Sequence, residues 1–170
     1  LNNQISIDVY SDTICPWCYI GYVKLNEAIK YFNKNRFNII WRPFQLNPDM
    51  PSEGIERNKY LKSKFGSKEI SDSIYKRVEN KGKLSNIHFQ FNKIKNTPNT
   101  FLSHKLLAYG YGKNKQTDVL ELLFYEYFIE GSDIGSLKTL IKIAKQTKIY
   151  DKNIKNYLLS TQDKENLLNE

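Results

Sequence analysis

Both cysteines of this chain fall in one tetrapeptide, Cys15-Pro16-Trp17-Cys18, and what flanks it narrows the fold. Before it, Ile5-Ser6-Ile7-Asp8-Val9-Tyr10 alternates apolar and polar residues, the period of a strand. After it, Cys18, Tyr22, Leu25, Ile29 and Phe32 recur at spacings of four and three, one apolar stripe of a helix. The expected order is strand, tight loop and a helix over residues 15–34, with Asn33-Lys34-Asn35 ending it. Cys15 then sits at the helix start. Pro16 suits the first turn because it has no N–H to leave unpaired and its φ is already helical.

A thiol gains reactivity at such a position. The free N–H groups of the first turn and the positive end of the helix dipole both favour a thiolate. A free thiol has a pKa of about 8.5, and a helix-terminal Cys-X-X-Cys brings it to roughly 3.5–7. Cys18, one turn further in, is placed to attack a mixed disulfide on Cys15 and is expected to be the more buried thiol. Zinc is the competing use of the motif. It needs about four ligands, and beyond the cysteines the histidines are His88 and His104, poorly spaced for a finger. Tyr19-Ile20 also continues a helix where a zinc knuckle would turn. No metal site is expected. A structural disulfide or inert thiols are the remaining alternatives.

Phe37-Asn38-Ile39-Ile40-Trp41-Arg42-Pro43-Phe44 reads as a second strand, with Phe37, Ile39 and Trp41 on one face and Pro43 at its end. Strand, helix and strand at this spacing favour parallel pairing. In open α/β sheets sites form beyond the strand C-termini, so Phe44 and Asn47 are candidate substrate or thiolate contacts, while Trp41 is expected in the core. Asp12 is expected to cap the active-site helix. Residues 45–54 read as a loop punctuated by Pro48, Pro51 and Gly54. Helical periods follow: 55–65 stopped by Gly66, a helix capped by Ser67 and stopped by Gly82, an extended connector through Ile87, Phe89 and Phe91, and a helix from Thr97-Pro98-Asn99-Thr100 to about Tyr111. Then come helices over 117–130, from Ser136 through Ala144, from Asp151 to Leu159, and over 162–170. His104 falls on the first turns of its helix and is a candidate to face the thiols. His88 falls in the polar phase of its stretch and is expected to be exposed.

Composition bounds the class. With 170 residues, 40% apolar and 14% aromatic, the chain can bury a sizeable core. No apolar run reaches membrane-spanning length and no signal segment precedes the first strand, so the expectation is a cytoplasmic protein, with an exported mature form left open. Of the net charge of +8, residues 51–100 carry +6. The lysines there are interleaved with acids at helical spacing, a solvated face rather than a nucleic-acid or membrane surface.

Ser11-Asp12-Thr13-Ile14-Cys15-Pro16-Trp17-Cys18-Tyr19-Ile20-Gly21 resembles the active-site block of the DsbA-like, FrnE-type oxidoreductases, members of the thioredoxin fold. Trp41-Arg42-Pro43-Phe44-Gln45-Leu46-Asn47-Pro48 is similar to that family's second-strand signature. Asn99-Thr100 with His104, and Leu123-Phe124, Tyr127-Phe128 and Glu130-Gly131-Ser132-Asp133-Ile134, match later blocks in the same order. The resemblance implies an α/β thioredoxin-like fold with an all-helical insertion: residues 1–54 the N-terminal βαβ half, 55–150 the insertion, 151–170 a helical return segment. The family continues into a cis-proline segment, two strands and a last helix. Nothing similar follows Leu168, so a chain lacking the C-terminal strands is expected.

The resemblance implies a thiol–disulfide oxidoreductase or isomerase acting on protein or small-molecule thiols and disulfides. Cys15 would attack, Cys18 resolve, and Pro16 and Trp17 tune the couple. No cofactor is required, and glutathione is a candidate redox partner; the oligomeric state is open, a dimer included. Two alternatives remain. Kappa-class glutathione transferases and 2-hydroxychromene-2-carboxylate isomerases share the superfamily, but typically carry serine where Cys15 stands. The second alternative is a non-catalytic helical interaction module.

Overall fold

The computed structural model describes residues 4–32, 36–162 and 167. Strand β1 (Ile5–Ser11) leads through a short loop into helix α1 (Pro16–Lys30), and the chain returns in β2 (Phe37–Pro43). The two strands pair in parallel from Ile5 opposite Phe37 to Ser11 opposite Pro43. They therefore end together, and the cysteine loop and the loop after β2 leave the same edge. Pro43 takes the last strand position, as its missing N–H requires. α1 ends at Lys30; Asn33-Lys34-Asn35, the expected stop, lie outside the described residues, and so does most of 162–170.

The helices that follow are α2 (Arg57–Phe65), α3 (Lys68–Lys83), α4 (Phe101–Tyr111), α5 (Gln116–Phe128), α6 (Leu137–Gln146) and α7 (Ile154–Leu159). Among the boundaries that differ from the expected ones, two have a clear physical reason. Ile55 and Glu56 do not open a helix: they form a short strand, β3 (Ile55–Glu56), antiparallel to β4 (Asn96–Thr97). Glu56 then caps α2, its carboxylate accepting the N–H groups of Asn58 and Lys59 at 2.9 Å each. Gly82 does not stop α3, which runs one residue further. It lies against the Phe89 ring, where a Cβ would come within 2.5 Å. Ser67 and Ser136 cap α3 and α6 as expected, accepting from Ile70 N and Thr139 N at 3.3 Å. Asp151 does not cap α7 directly; Asn153 is the cap, and Asp151 accepts its N–H at 2.9 Å.

The core lies between α1 and the helices behind it. The expected stripe of α1 is only partly inward: Tyr22 is buried, Cys18, Leu25 and Ile29 are half-buried, and Phe32 is exposed. Tyr19 and Ile20 complete the packed surface. Tyr19 stacks on Phe124 and Phe128 of α5 with centroids 4.9 and 6.0 Å away. Trp41 is buried, as expected, with its indole N–H donating to Thr117 at 3.1 Å. The side-chain amide of Gln116 runs along β2, accepting Trp41 N–H and donating to Trp41 carbonyl, both at 2.9 Å.

Candidate active site

The loop between β1 and α1 is short because the chain reverses there: Cys15 N–H donates to the Asp12 carbonyl at 3.1 Å. Cys15 is the N-cap residue of α1, with extended backbone, and Pro16 takes the first turn. Cys18 lies on that same turn. Both thiols are free and half-buried. Trp17, between them, is 52% exposed.

The two thiols titrate as a pair. Cys18 is drawn down to about 6, first by the hydrogen bond from Cys15, against the cost of burial and helped by the Ser11 hydroxyl and the Asp12 backbone N–H. Cys15 is held above the ordinary thiol range because it keeps the shared proton and is buried. This order is the reverse of the one expected, in which Cys15 is the acidic member. The amides of Cys18 and Trp17 nevertheless favour a thiolate on Cys15, though neither closes a hydrogen bond onto it. The direction that follows from the geometry belongs to the pair: its first proton leaves below the usual thiol range and its second is retained above it.

Asp12 does not cap α1. It is 1% exposed, and one of its oxygens accepts Leu46 N–H at 2.7 Å, tying the cysteine loop to the loop after β2. A second tie runs between Phe44 N–H and the Ser11 carbonyl at 3.2 Å. Phe44 thus flanks the cysteine loop with its ring 51% exposed. Asn47 faces inward instead, accepting from Tyr60 OH of α2 at 3.2 Å. His104 is buried on α4 beside Asp12, with Nε2 3.5 Å from the carboxylate. His88 is exposed. Among the described residues, no group of three or more His, Cys, Asp or Glu is placed to hold a metal ion, and no helix is long and apolar enough to cross a membrane.

Sequence reasoning missed the polar seam beneath the loop. Ser103 Oγ donates to the Thr100 carbonyl and contacts Thr13 Oγ1, each at 2.7 Å. Gln45 donates to Asn99 and Thr100 at 3.3 Å, and Asn99 donates to the Met50 carbonyl at 2.6 Å. Ser11 Oγ is buried beside Cys18, where it favours the thiolate. In sequence Asn99, Thr100 and Ser103 read as a helix start and Gln45 as loop, and nothing in that pattern marks them as partners.

The model of the DSBA-like thioredoxin domain matches residues 6–170. The uncharacterized protein YwbO of Bacillus subtilis (strain 168) is 26% identical over 154 residues, covering 91% of this chain and 72% of YwbO. A crystal structure of a probable DsbA oxidoreductase from Streptomyces coelicolor superposes with a TM-score of 0.85 at 17% identity, over 98% of this chain and 73% of that one. The cytosolic disulfide reductase DsbM from Pseudomonas aeruginosa, solved with GSH, gives 0.64 at 9% identity, over 91% and 70%. The architecture is that of the thioredoxin-like DsbA fold.

Proposed function

Because the chain belongs to the DSBA-like thioredoxin domain family, we propose that it is a thiol–disulfide oxidoreductase working through Cys15 and Cys18. The observation that carries this reading is the pair of free, half-buried thiols on the first turn of α1, each the largest influence on the other's proton. The Cys15 thiolate attacks one sulfur of a substrate disulfide. A Cys15–substrate disulfide forms, and the other substrate sulfur leaves as a thiolate and takes up a proton. The Cys18 thiolate then attacks Cys15 Sγ. The Cys15–Cys18 disulfide forms, the second substrate thiolate leaves, and two electrons have passed from protein to substrate. The reverse sequence oxidises a substrate dithiol.

Cys15 is the attacking member in this reading because the first-turn amides favour its thiolate and it stands at the helix start. Attack by Cys15 then requires the shared proton to pass from Cys15 to Cys18 when substrate arrives, and Cys18 to release it before it resolves the mixed disulfide. Pro16 sets the helix start, and Trp17 and Phe44 offer exposed apolar surface to a substrate chain on either side of the loop. Asn47 contributes by holding the second loop against Tyr60. A FrnE-type member with isomerase activity is the finer assignment, supported by the motif blocks alone. Glutathione, held by the Pseudomonas neighbour, is the small thiol partner to try, and the cytoplasm the compartment we propose.

The test is thiolate absorbance near 240 nm against pH for the reduced protein, Cys15→Ser and Cys18→Ser, joined to trapping of a mixed disulfide by mass spectrometry. The expected midpoint lies below the free-thiol value of about 8.5, and Cys18→Ser accumulates a mixed disulfide that Cys15→Ser cannot form. A midpoint near 8.5 in every form would leave an interaction module with ordinary thiols. Glutathione transferase or isomerase activity that survives Cys18→Ser would point to the other alternative.

A further inference from the structure

Arg57 opens α2 and is 7% exposed, yet among the described residues no carboxylate pairs with its guanidinium. Arginine keeps its charge at any ordinary pH, and a buried charge is costly unless it is paired and hydrogen-bonded. The backbone N–H of Arg57 donates to the Lys95 carbonyl at 2.9 Å, which anchors the residue beside β4. Nη1 donates to Thr97 Oγ1 at 3.1 Å. The Tyr75 and Tyr60 rings face the guanidinium carbon at 5.0 and 5.8 Å, and such faces offset part of a cation's charge. A guanidinium has five N–H donors, and the acceptors beside this one are two hydroxyls, of Thr97 and Tyr75. Neither is an anion.

Arg57 also lines a cleft of about 410 Å³ between α2, α3 and the turn at Phe91, a size that suits a small molecule. Leu61, Tyr75 and Phe91 give it apolar walls, and no residue of the cysteine loop lines it. Its three acids are engaged. Glu56 accepts the first N–H groups of α2, Asp72 pairs with Lys68 at 2.8 Å, and Glu79 with Lys76 at 3.7 Å. Among the described residues this leaves Arg57, and Lys95 at the exposed rim, as the charges of the cleft without an opposite. α2 itself carries four basic residues and no acid, so the field around the cleft attracts anions. We propose that the cleft is a binding site for a small oxyanion with an apolar body: a carboxylate or phosphate head on the Arg57 guanidinium, and the body against Leu61, Tyr75 and Phe91. The planar fork of arginine matches either head. The site is separate from the thiols and goes beyond the exchange reading.

The experiment titrates the full chain with benzoate, phenyl phosphate and inorganic phosphate at constant ionic strength, read by calorimetry and by NMR. At least one aromatic probe binds at one site per chain, more tightly than inorganic phosphate, and the tighter of the two tells which head the site takes. Arg57→Lys keeps the charge but loses the fork, and weakens that probe roughly tenfold or more. No saturable binding of either aromatic probe at millimolar concentration overturns the proposal, and so does inorganic phosphate binding as tightly as both. Affinity unchanged in Arg57→Lys, or abolished by physiological salt, belongs to the surface lysines and overturns it too. Should Arg57→Lys not fold, the wild-type protein decides. The bound probe shifts the Tyr75 and Phe91 ring resonances and leaves the Trp17 indole, beside the thiols, unmoved; shifts confined to other residues overturn the proposal.

Discussion

At the scale of single residues, the two sulfurs dominate the acid–base behaviour. In the unfolded reduced chain both thiols take their ordinary value of about 8.5, whereas in the fold one is drawn down to about 6 and the other is held above the ordinary range. From about 6 up to the ordinary thiol value the unfolded chain therefore binds one proton more than the folded chain, so folding stability rises with pH. Above that window the unfolded chain has lost a proton that the folded chain still holds, and stability falls. The disulfide form has neither contribution. Urea unfolding of reduced and oxidised protein across this range should show their difference climbing and then turning over. A pH-independent difference would mean that the sulfurs are uncoupled.

At the scale of elements, side chains finish what the backbone leaves open. β2 would present Trp41 N–H and carbonyl unpaired where Gln116 now lies, and an orphaned buried backbone group costs about 1–3 kcal/mol. Gln116→Leu should destabilise by about that much in urea, with little change in thiolate midpoint, since Gln116 does not touch the cysteine loop. The junction of α3 with the Phe89 connector makes a second prediction. Gly82→Ala places a Cβ within 2.5 Å of the Phe89 ring. Overpacking of this kind costs about 1–3 kcal/mol, and a drop in Tm with unchanged helix content by circular dichroism is expected. Gly82 reads as a stop in sequence because glycine ends helices more often than it makes room for a ring. Ile55 and Glu56 mislead similarly: their apolar–acidic pattern suits a helix start, but pairing with Asn96 and Thr97 claims their backbone first.

At the scale of the molecule, the βαβ unit and the helices share one core. Tyr19 and Tyr22 of α1 meet Phe124 of α5, and Tyr22 and Trp41 lie 5.7 Å apart between α1 and β2. Lys105 of α4, wholly buried, donates to the carbonyls of Tyr157 and Ser160 at 2.6 Å and so ties α7 and the residue after it to the centre. Equilibrium unfolding should therefore be one transition, with Trp fluorescence and far-UV circular dichroism coinciding; separated midpoints would show that the helical layer melts by itself. Phe124→Ala, at the meeting point of α1 and α5, should cost about 3–5 kcal/mol.

The sequence alone determined the strand–loop–helix frame, the place of both cysteines at the helix start and the parallel return strand. Each of these rests on local physics: a period of two, a period of 3.6, and a proline whose φ already suits the first helical turn. Only the tertiary structure decided what the polar residues near the site do. Asp12 could cap a helix, and Asn47 or His104 could face a substrate or a thiolate, as far as local chemistry goes. Which partner each one meets depends on α2 and α4 folding back against the loop: Tyr60 reaches Asn47 from 13 residues further along the chain, and His104 reaches Asp12 from 92. A short polar side chain satisfies itself with whatever the fold brings within about 3 Å, and that choice is made by packing, not by its neighbours in sequence.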